Sequence, residues 1–182
     1  MNPEPVYDAS PAPALADVVI ETPRLFLRRL ALADAPFVAS IFEDDAARRF
    51  YPEMRNLPNA ERWVRRNLET YARDGFGLWA IVRKDGGDPA GDAGLMRQRI
   101  EGQEEIEVGY HLHAAYRGHG FATEAAAACM AWGFATLDCR RIVSMVHPEN
   151  HASQAVCRRI HKNSTRFWRQ GANYFLFHSE RV

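Results

Sequence analysis

Between Gly77 and Leu137 the sequence changes period in a way that few architectures accommodate. Three strand-like runs come first: Gly77 to Arg83, built around Leu78-Trp79-Ala80-Ile81-Val82, then Ala90 to Arg97, then about Glu104 to Leu112. The links between them are turn chemistry. Lys84-Asp85-Gly86-Gly87-Asp88-Pro89 reads as a hairpin loop, and Gly102-Gln103 as a tighter turn. In the third run Glu105 and Glu107 fall on one face, Ile106 and Val108 on the other. The meander passes into a glycine-containing loop and then into an alanine-rich helix from about Gly120 to Leu137, whose only charge is Glu124. A helix with so little charge is covered on most sides. The unit must therefore be an antiparallel sheet with a helix laid across it.

The flanking segments extend this plan. Residues 1–16 are rich in Pro and Ala without periodicity and read as a flexible tail, leaving 17–182 as a single domain. From Val18, Leu25, Leu27 and Leu30 alternate with Arg24, Arg28 and Arg29, as in one strand with a polar face. Asp34 and Pro36 punctuate the start of a helix that buries Phe37, Ile41 and Phe42, and a second helix fits Asn59 to Tyr71 with Asn59 as its cap. After the long helix, Ile142-Val143-Ser144-Met145-Val146 reads as an internal strand ended by His147-Pro148. Asn150 opens a helix to about Arg159, and Phe167-Trp168 with Tyr174-Phe175-Leu176-Phe177 supplies one or two terminal strands. The class is mixed α/β (α+β), without internal repeats.

Composition narrows the function. Of 182 residues 47% are apolar, enough for a full core. Lys plus Arg and Asp plus Glu are 23 each, so bulk charge does not suit the chain to nucleic acid or an anionic membrane. No apolar run approaches the roughly 18 residues of a membrane span. The absence of Lys or Arg before Arg24 argues against a secretory or transit segment. Cys129, Cys139 and Cys157 are scattered and odd in number, which fits a reducing, cytoplasmic setting. Charge is nonetheless uneven. From Arg140 to Gln170 seven basic residues face one acid, Glu149, either as a solvated helix face or as a patch for a polyanionic small molecule.

The junction from Tyr116 to Ala125, with Gly118 and Gly120, follows a strand and opens a helix. Glycine admits positive φ and close approach of backbone to a ligand, and the first amides of a helix have no partner within it. Such a turn is either plain strand-to-helix geometry or an anion cradle. Here the text resembles the GNAT superfamily of N-acetyltransferases. Arg117-x-x-Gly120-x-Ala122 is similar to that family's acyl-CoA loop. Glu107-Val108-Gly109-Tyr110, Ala122-Thr123-Glu124-Ala125 and His147-Pro148-Glu149-Asn150-His151-Ala152-Ser153 follow in the expected order. The opening Glu21-Thr22-Pro23-Arg24-Leu25-x-Leu27-Arg28 resembles the first strand of the ribosomal-protein N-terminal (RimJ/RimL-like) branch.

The resemblance, over about residues 20 to 160, implies a mixed, mostly antiparallel central sheet with helices on both faces and acetyl-CoA in a splayed cleft. It implies pyrophosphate contacts from Arg117, Gly118, His119, Gly120, Phe121, Ala122 and Thr123. The pantetheine would run along the strand ending near Tyr110, with Asn150 and Ser153 near the sulfur. The acceptor would be a primary amine, on a protein N-terminus or a small molecule, attacking directly in a ternary complex. Only a neutral amine is nucleophilic, so a proton acceptor is needed. Glu107 is the first candidate and Glu105 the reserve. Ser153, or Tyr110, is the candidate donor to the leaving thiolate. Both glutamates could equally be solvent-facing, and Asn150 could be a plain helix cap. No nucleic acid, membrane or metal partner is expected, and the chain would be a monomer or homodimer.

Other features are weaker. His111, His113 and His119 lack a further ligand at metal spacing. Trp63, Trp79 and Trp132 suit the core or a pocket wall, and Arg166-Phe167-Trp168-Arg169 is a lone basic–aromatic cluster. Where the family usually ends its last helix on glycine, this chain has His161, which with Asn163 tolerates positive φ better than most residues. That leaves the register of 161–182 open. It keeps alive a non-catalytic acyl-CoA-binding or regulatory module. A dinucleotide-binding domain is a third reading, although Thr123 stands where its third glycine would fall.

Overall fold

The computed structural model describes residues 18–54 and 56–181. The chain order is β1 (Val18–Glu21), β2 (Leu25–Arg29), α1 (Ala35–Ile41), α2 (Asp45–Phe50), α3 (Leu57–Asp74), β3 (Leu78–Arg83), β4 (Pro89–Ile100) and β5 (Gln103–Leu112). Then follow α4 (Phe121–Thr136), β6 (Arg141–Val146), α5 (His151–Ile160), β7 (Asn163–Arg169) and β8 (Ala172–Glu180). One eight-stranded sheet runs β1-β2-β3-β4-β5-β6-β8-β7. Every neighbouring pair is antiparallel except β5 and β6.

That parallel pair organises the molecule. It is registered only at Ile106↔Ile142 and Glu107↔Val143, after which the strands diverge. β4 stays paired with β5 as far as Leu112, and β8 with β6 as far as Val146, so the sheet forks between two intact leaves. At the apex the Ser144 hydroxyl donates to the Val108 carbonyl (2.9 Å), and the Glu107 carboxylate accepts the Met145 amide (3.1 Å).

The helices cover both faces. β3 is apolar at almost every position because both of its faces are buried. Trp79 and Ile81 join the cluster under α4 with Leu25, Leu27, Leu95, Ala125, Ala126 and Cys129. Ala80 and Val82 join the cluster under α1 and α3 with Val38, Ile41, Ala60 and Val64. α4 can lie this close because Gly133 has no side chain; a Cβ there would stand 2.6 Å from Leu95 Cδ1 and 2.9 Å from Ile142 Cδ1. As its low charge predicts, α4 is largely covered, leaving one exposed stripe at Ala127, Ala131 and Ala135.

Several local expectations are corrected. The segment after Val18 is a hairpin of two strands, because Thr22 turns the chain by exchanging hydrogen bonds with Leu25. The cap of α3 is Asn56, not Asn59: the Asn56 side chain accepts the Asn59 amide, and the helix starts at Leu57-Pro58. Asp34 stands at the cap position of α1 but spends its carboxylate on Arg28 and the Ala31 amide. The sequence reading passed over α2 entirely. His161 needs no left-handed backbone. It stops α5 by turning extended (φ −107°, ψ 149°), and residues 163–180 form the β7–β8 hairpin. The tail at 1–16 lies outside the described residues. Among the described residues no helix is long and apolar enough to cross a membrane.

Candidate active site

The fork opens into a cavity of about 1100 Å³ that runs from Glu107 at the apex, past Tyr110 and His111, to Asn150 and Ser153 at the start of α5. Tyr51, Trp63 and Tyr174 contribute aromatic wall, and Met96, Met145 and Val146 aliphatic wall.

Glu107 is 8% exposed. Burial pushes its carboxyl up to about 7, against the opposing pull of the Met145 amide, Arg169, Gln98 and His111. A carboxyl near neutrality both accepts and returns a proton at working pH. Glu105, two residues earlier, is tied to Arg141 and does not line the cavity. The alternation that puts the two acids on one face is real, but only Glu107 stands at the last registered pair with β6, where the fork opens.

The loop before α4 holds Gly118 at φ +83° and Gly120 at φ +81°. Gly120 is the cap residue, with no side chain to satisfy the first amides. The amides of residues 118–123 donate to no acceptor among the described residues, and hydrogen bonding resumes at Glu124 N–H to Gly120 carbonyl. A row of outward amides at the positive end of a sixteen-residue helix fits a pyrophosphate. Arg24, about 95 residues away in the chain, shapes this loop. Its guanidinium donates to the His119 carbonyl (3.0 Å), pairs with Glu124 (2.6 Å) and lies 4.7 Å from the centre of the Phe121 ring. His119 stacks on Phe121. Burial alone would raise Glu124, but bonds from Thr22 and Arg24 hold it below the usual carboxylate range.

Arg117 points elsewhere. Both terminal nitrogens grip Asp44 (3.0 and 2.8 Å), and Nε donates to the Leu112 carbonyl. Asp44 caps α2 through the Ala46 and Ala47 amides, and Arg117 holds its carboxyl below the usual range. At the other end of α2, Arg49 pairs with Glu149 (2.6 Å) in the β6–α5 loop. α2 thus bridges the loops that follow the two diverging strands.

α5 starts differently. Asn150 accepts the Ser153 amide (3.1 Å), so the capping reading holds for Asn150, which also lines the cavity. The Ser153 hydroxyl has no partner among the described residues, while its carbonyl accepts the Tyr110 hydroxyl at 3.0 Å. The Tyr110 oxygen also lies 3.3 Å from Cys157 Sγ, and burial pushes its pKa far above the phenolic value. Tyr110 therefore braces α5 with a proton already engaged.

The histidines do not converge. His111 pairs with Asp92, whereas His113 Nδ1 accepts the Ala115 amide. Trp79 and Trp132 pack on each other in the core at 5.1 Å, and Trp63 reaches the cavity. The basic stretch after Arg140 disperses. Arg141 binds Glu105, Arg166 covers Phe175, Arg158 bonds Gln154, and Arg169 turns into the cavity. Asp92, Tyr51 and Arg24 escaped the sequence reading, because each acquires meaning only from a partner distant in sequence.

Comparison with known proteins agrees with this geometry. Residues 24–162 match the family model described as an acetyltransferase (GNAT) domain. The chain is 30% identical over 146 residues to YkkB, an uncharacterized protein of Bacillus subtilis strain 168, covering 80% of this chain and 85% of that one. The fold matches a crystal structure of an acetyltransferase from Agrobacterium tumefaciens strain C58 with TM-score 0.74 and 26% identity, over 98% of this chain and 99% of the other. It also matches RimL, a ribosomal L7/L12 alpha-N-protein acetyltransferase solved with coenzyme A, with TM-score 0.71 and 19% identity, over 90% and 97%. A forked sheet with an uncapped helix start beside it, in a chain that this family model spans for most of its length, has one assignment: the protein belongs to the GNAT acetyltransferases and is an acetyltransferase.

Proposed function

We propose that the protein transfers acetyl from acetyl-CoA to a primary amine by direct attack in a ternary complex. The observation that carries this reading is the Glu107 carboxyl, buried at the apex of the fork yet facing the cavity, with its pKa pushed up to about 7. The open amides of 118–123 suit the pyrophosphate, and the free edge of β5 beyond Glu107 suits a pantetheine lying as an added strand.

Supplied with the thioester, the site has two tasks. Glu107 accepts a proton from the attacking nitrogen as the C–N bond forms. The C–S bond then breaks with its electron pair on sulfur, and the Ser153 hydroxyl, uncommitted among the described residues, donates a hydrogen bond to that thiolate. Among the described residues no cysteine is placed for a covalent acetyl-enzyme. Cys157 is buried against Tyr110, and its thiol is raised by burial.

The cavity is wide, with aromatic walls and charged side chains of both signs, and it supports an acceptor of either size. A peptide N-terminus, the acceptor type in RimL's description, fits it, as does a small amine. The test is release of free CoA from acetyl-CoA with serine-led and alanine-led hexapeptides and spermidine, alongside calorimetry of acetyl-CoA binding. Binding with turnover on at least one amine is expected. Tight binding with no CoA release from any amine would favour a non-catalytic acyl-CoA module, and no binding would defeat the cofactor assignment.

A further inference from the structure

One buried constellation in the cavity wall has no part in that scheme. Asp92, on β4, stands opposite His111 in the β4–β5 register and is fully buried. Its Oδ1 lies 2.7 Å from His111 Nδ1, and its Oδ2 accepts the Trp63 indole N–H at 3.1 Å. A carboxylate removed from water needs donors on its oxygens, so the imidazole proton sits on Nδ1 and the lone pair on Nε2. Nε2 has no hydrogen-bond partner among the described residues, and His111 lines the cavity with 9% of its side chain exposed. The ring is wedged in place: Tyr51 meets it edge-on at 4.7 Å, with Phe42 at 5.2 Å and Trp63 at 5.6 Å. A base held in one tautomer by a carboxylate and clamped by packing is how proton acceptors are positioned. His111 lies four residues from Glu107 on the same side of β5, roughly 13 Å along the strand.

We propose that His111, aligned by Asp92, strips the first proton from the entering ammonium, leaving Glu107 to handle the second. This rests on the proposed amine acetylation. A bound R–NH3+ gives one proton to Nε2, forming an imidazolium paired with Asp92. The neutral nitrogen advances to the thioester and its lone pair forms the C–N bond. The C–S pair departs on sulfur, and the second N–H proton passes through Glu107 to the thiolate. The products are the amide, CoA thiol and one proton, which His111 returns to water. Each base is restored.

The test uses the full chain, acetyl-CoA and the serine-led hexapeptide, alanine-led hexapeptide and spermidine. With any amine the wild type acetylates, H111A should lower kcat about 10²-fold while the KM for acetyl-CoA stays within about threefold. Added imidazole should restore part of that loss. D92N should lose comparable kcat and gain nothing from imidazole, because its amide presents a donor to the ring and turns the lone pair of Nε2 away. If H111A does not fold, H111Q, whose amide donates to Asp92, should show the same loss. An active wild type with undiminished His111 variants overturns this proposal alone. A wild type inert toward every amine removes the proposed reaction and this step with it. A long-range 1H–15N spectrum placing the ring proton of His111 on Nε2 overturns the step regardless of activity.

Discussion

Two helices begin at the mouth of the fork, and they begin in opposite ways. α5 is closed by its own sequence. Asn150 accepts the Ser153 amide, and Gln154 ties down the preceding carbonyls of His147 and Pro148. α4 is left open, because Gly120 has no side chain to offer and six successive amides find no acceptor among the described residues. A similar contrast separates two buried titratable groups beside β6. Burial pushes Glu107 up to about 7 and His161 down to about 4. Glu107 faces the cavity, whereas His161 is enclosed by Ser144, Ser179 and Phe177. A displaced pKa therefore does not identify a working group. What distinguishes one is displacement together with access to a ligand-sized space.

The sharpest way to break this contrast is Glu107→Gln. Turnover should fall about 10²–10⁴-fold with acetyl-CoA affinity little changed, as read by CoA release and calorimetry. A fully active variant would put Glu107 on the same footing as His161.

The second test is stability against pH. His161 is held neutral in the fold, so the unfolded chain binds its proton more readily. Its contribution is present above about pH 6.5 and drains away as pH falls toward 4, up to roughly 3 kcal/mol. Glu107 does the reverse. Its contribution is complete below about pH 4.5 and is lost as pH rises to about 7, by a similar order of magnitude. Between pH 4.5 and 6.5 the two slopes oppose. Denaturant titrations should show E107Q gaining stability steeply with rising pH across that window, and His161→Gln losing it. Identical slopes in both variants would refute the pairing.

Third, Gly120→Val should weaken acetyl-CoA at least about tenfold by calorimetry. The expected cause is not crowding, since a Cβ at 120 would meet only Arg24 Nη2 at 3.5 Å. A β-branched residue cannot hold φ +81°, and the open row of amides would rearrange. The smallest effect belongs to the closed helix. Asn150→Ala should cost about 1 kcal/mol of stability, by thermal or denaturant unfolding, with acetyl-CoA affinity changed less than in the Gly120 variant.

Much of this contrast was legible in the sequence, and the reason is locality. The glycine loop, the asparagine before α5, the alternation in β5 and the uncharged α4 are all set by neighbours within a few residues. The family match at 24–162 agrees with the resemblance those motifs carry. Pairings across the fold were illegible. Arg117 looked available for phosphate because nothing nearby in sequence announces Asp44, 73 residues away. Nothing local to Asp92 points to a role, and only the pairing of β4 with β5 sets it against His111. The helix stops at His161 as expected but not by the positive φ that the family's glycine suggests; two serine hydroxyls here reward an extended chain with a buried imidazole.

The seam between β5 and β6 carries a mechanical consequence. Two register pairs, one serine hydroxyl, the Glu107 carboxylate and the Arg141–Glu105 ion pair join leaves that are otherwise stitched along their whole length. Beyond that seam the two sides are held from outside the sheet: α4 packs on Leu95 and Ile142 at Gly133, Tyr110 donates to the Ser153 carbonyl, and α2 ties Arg117 on one side to Glu149 on the other. The cleft therefore keeps its width through buttresses set around it rather than through the strands that form its walls.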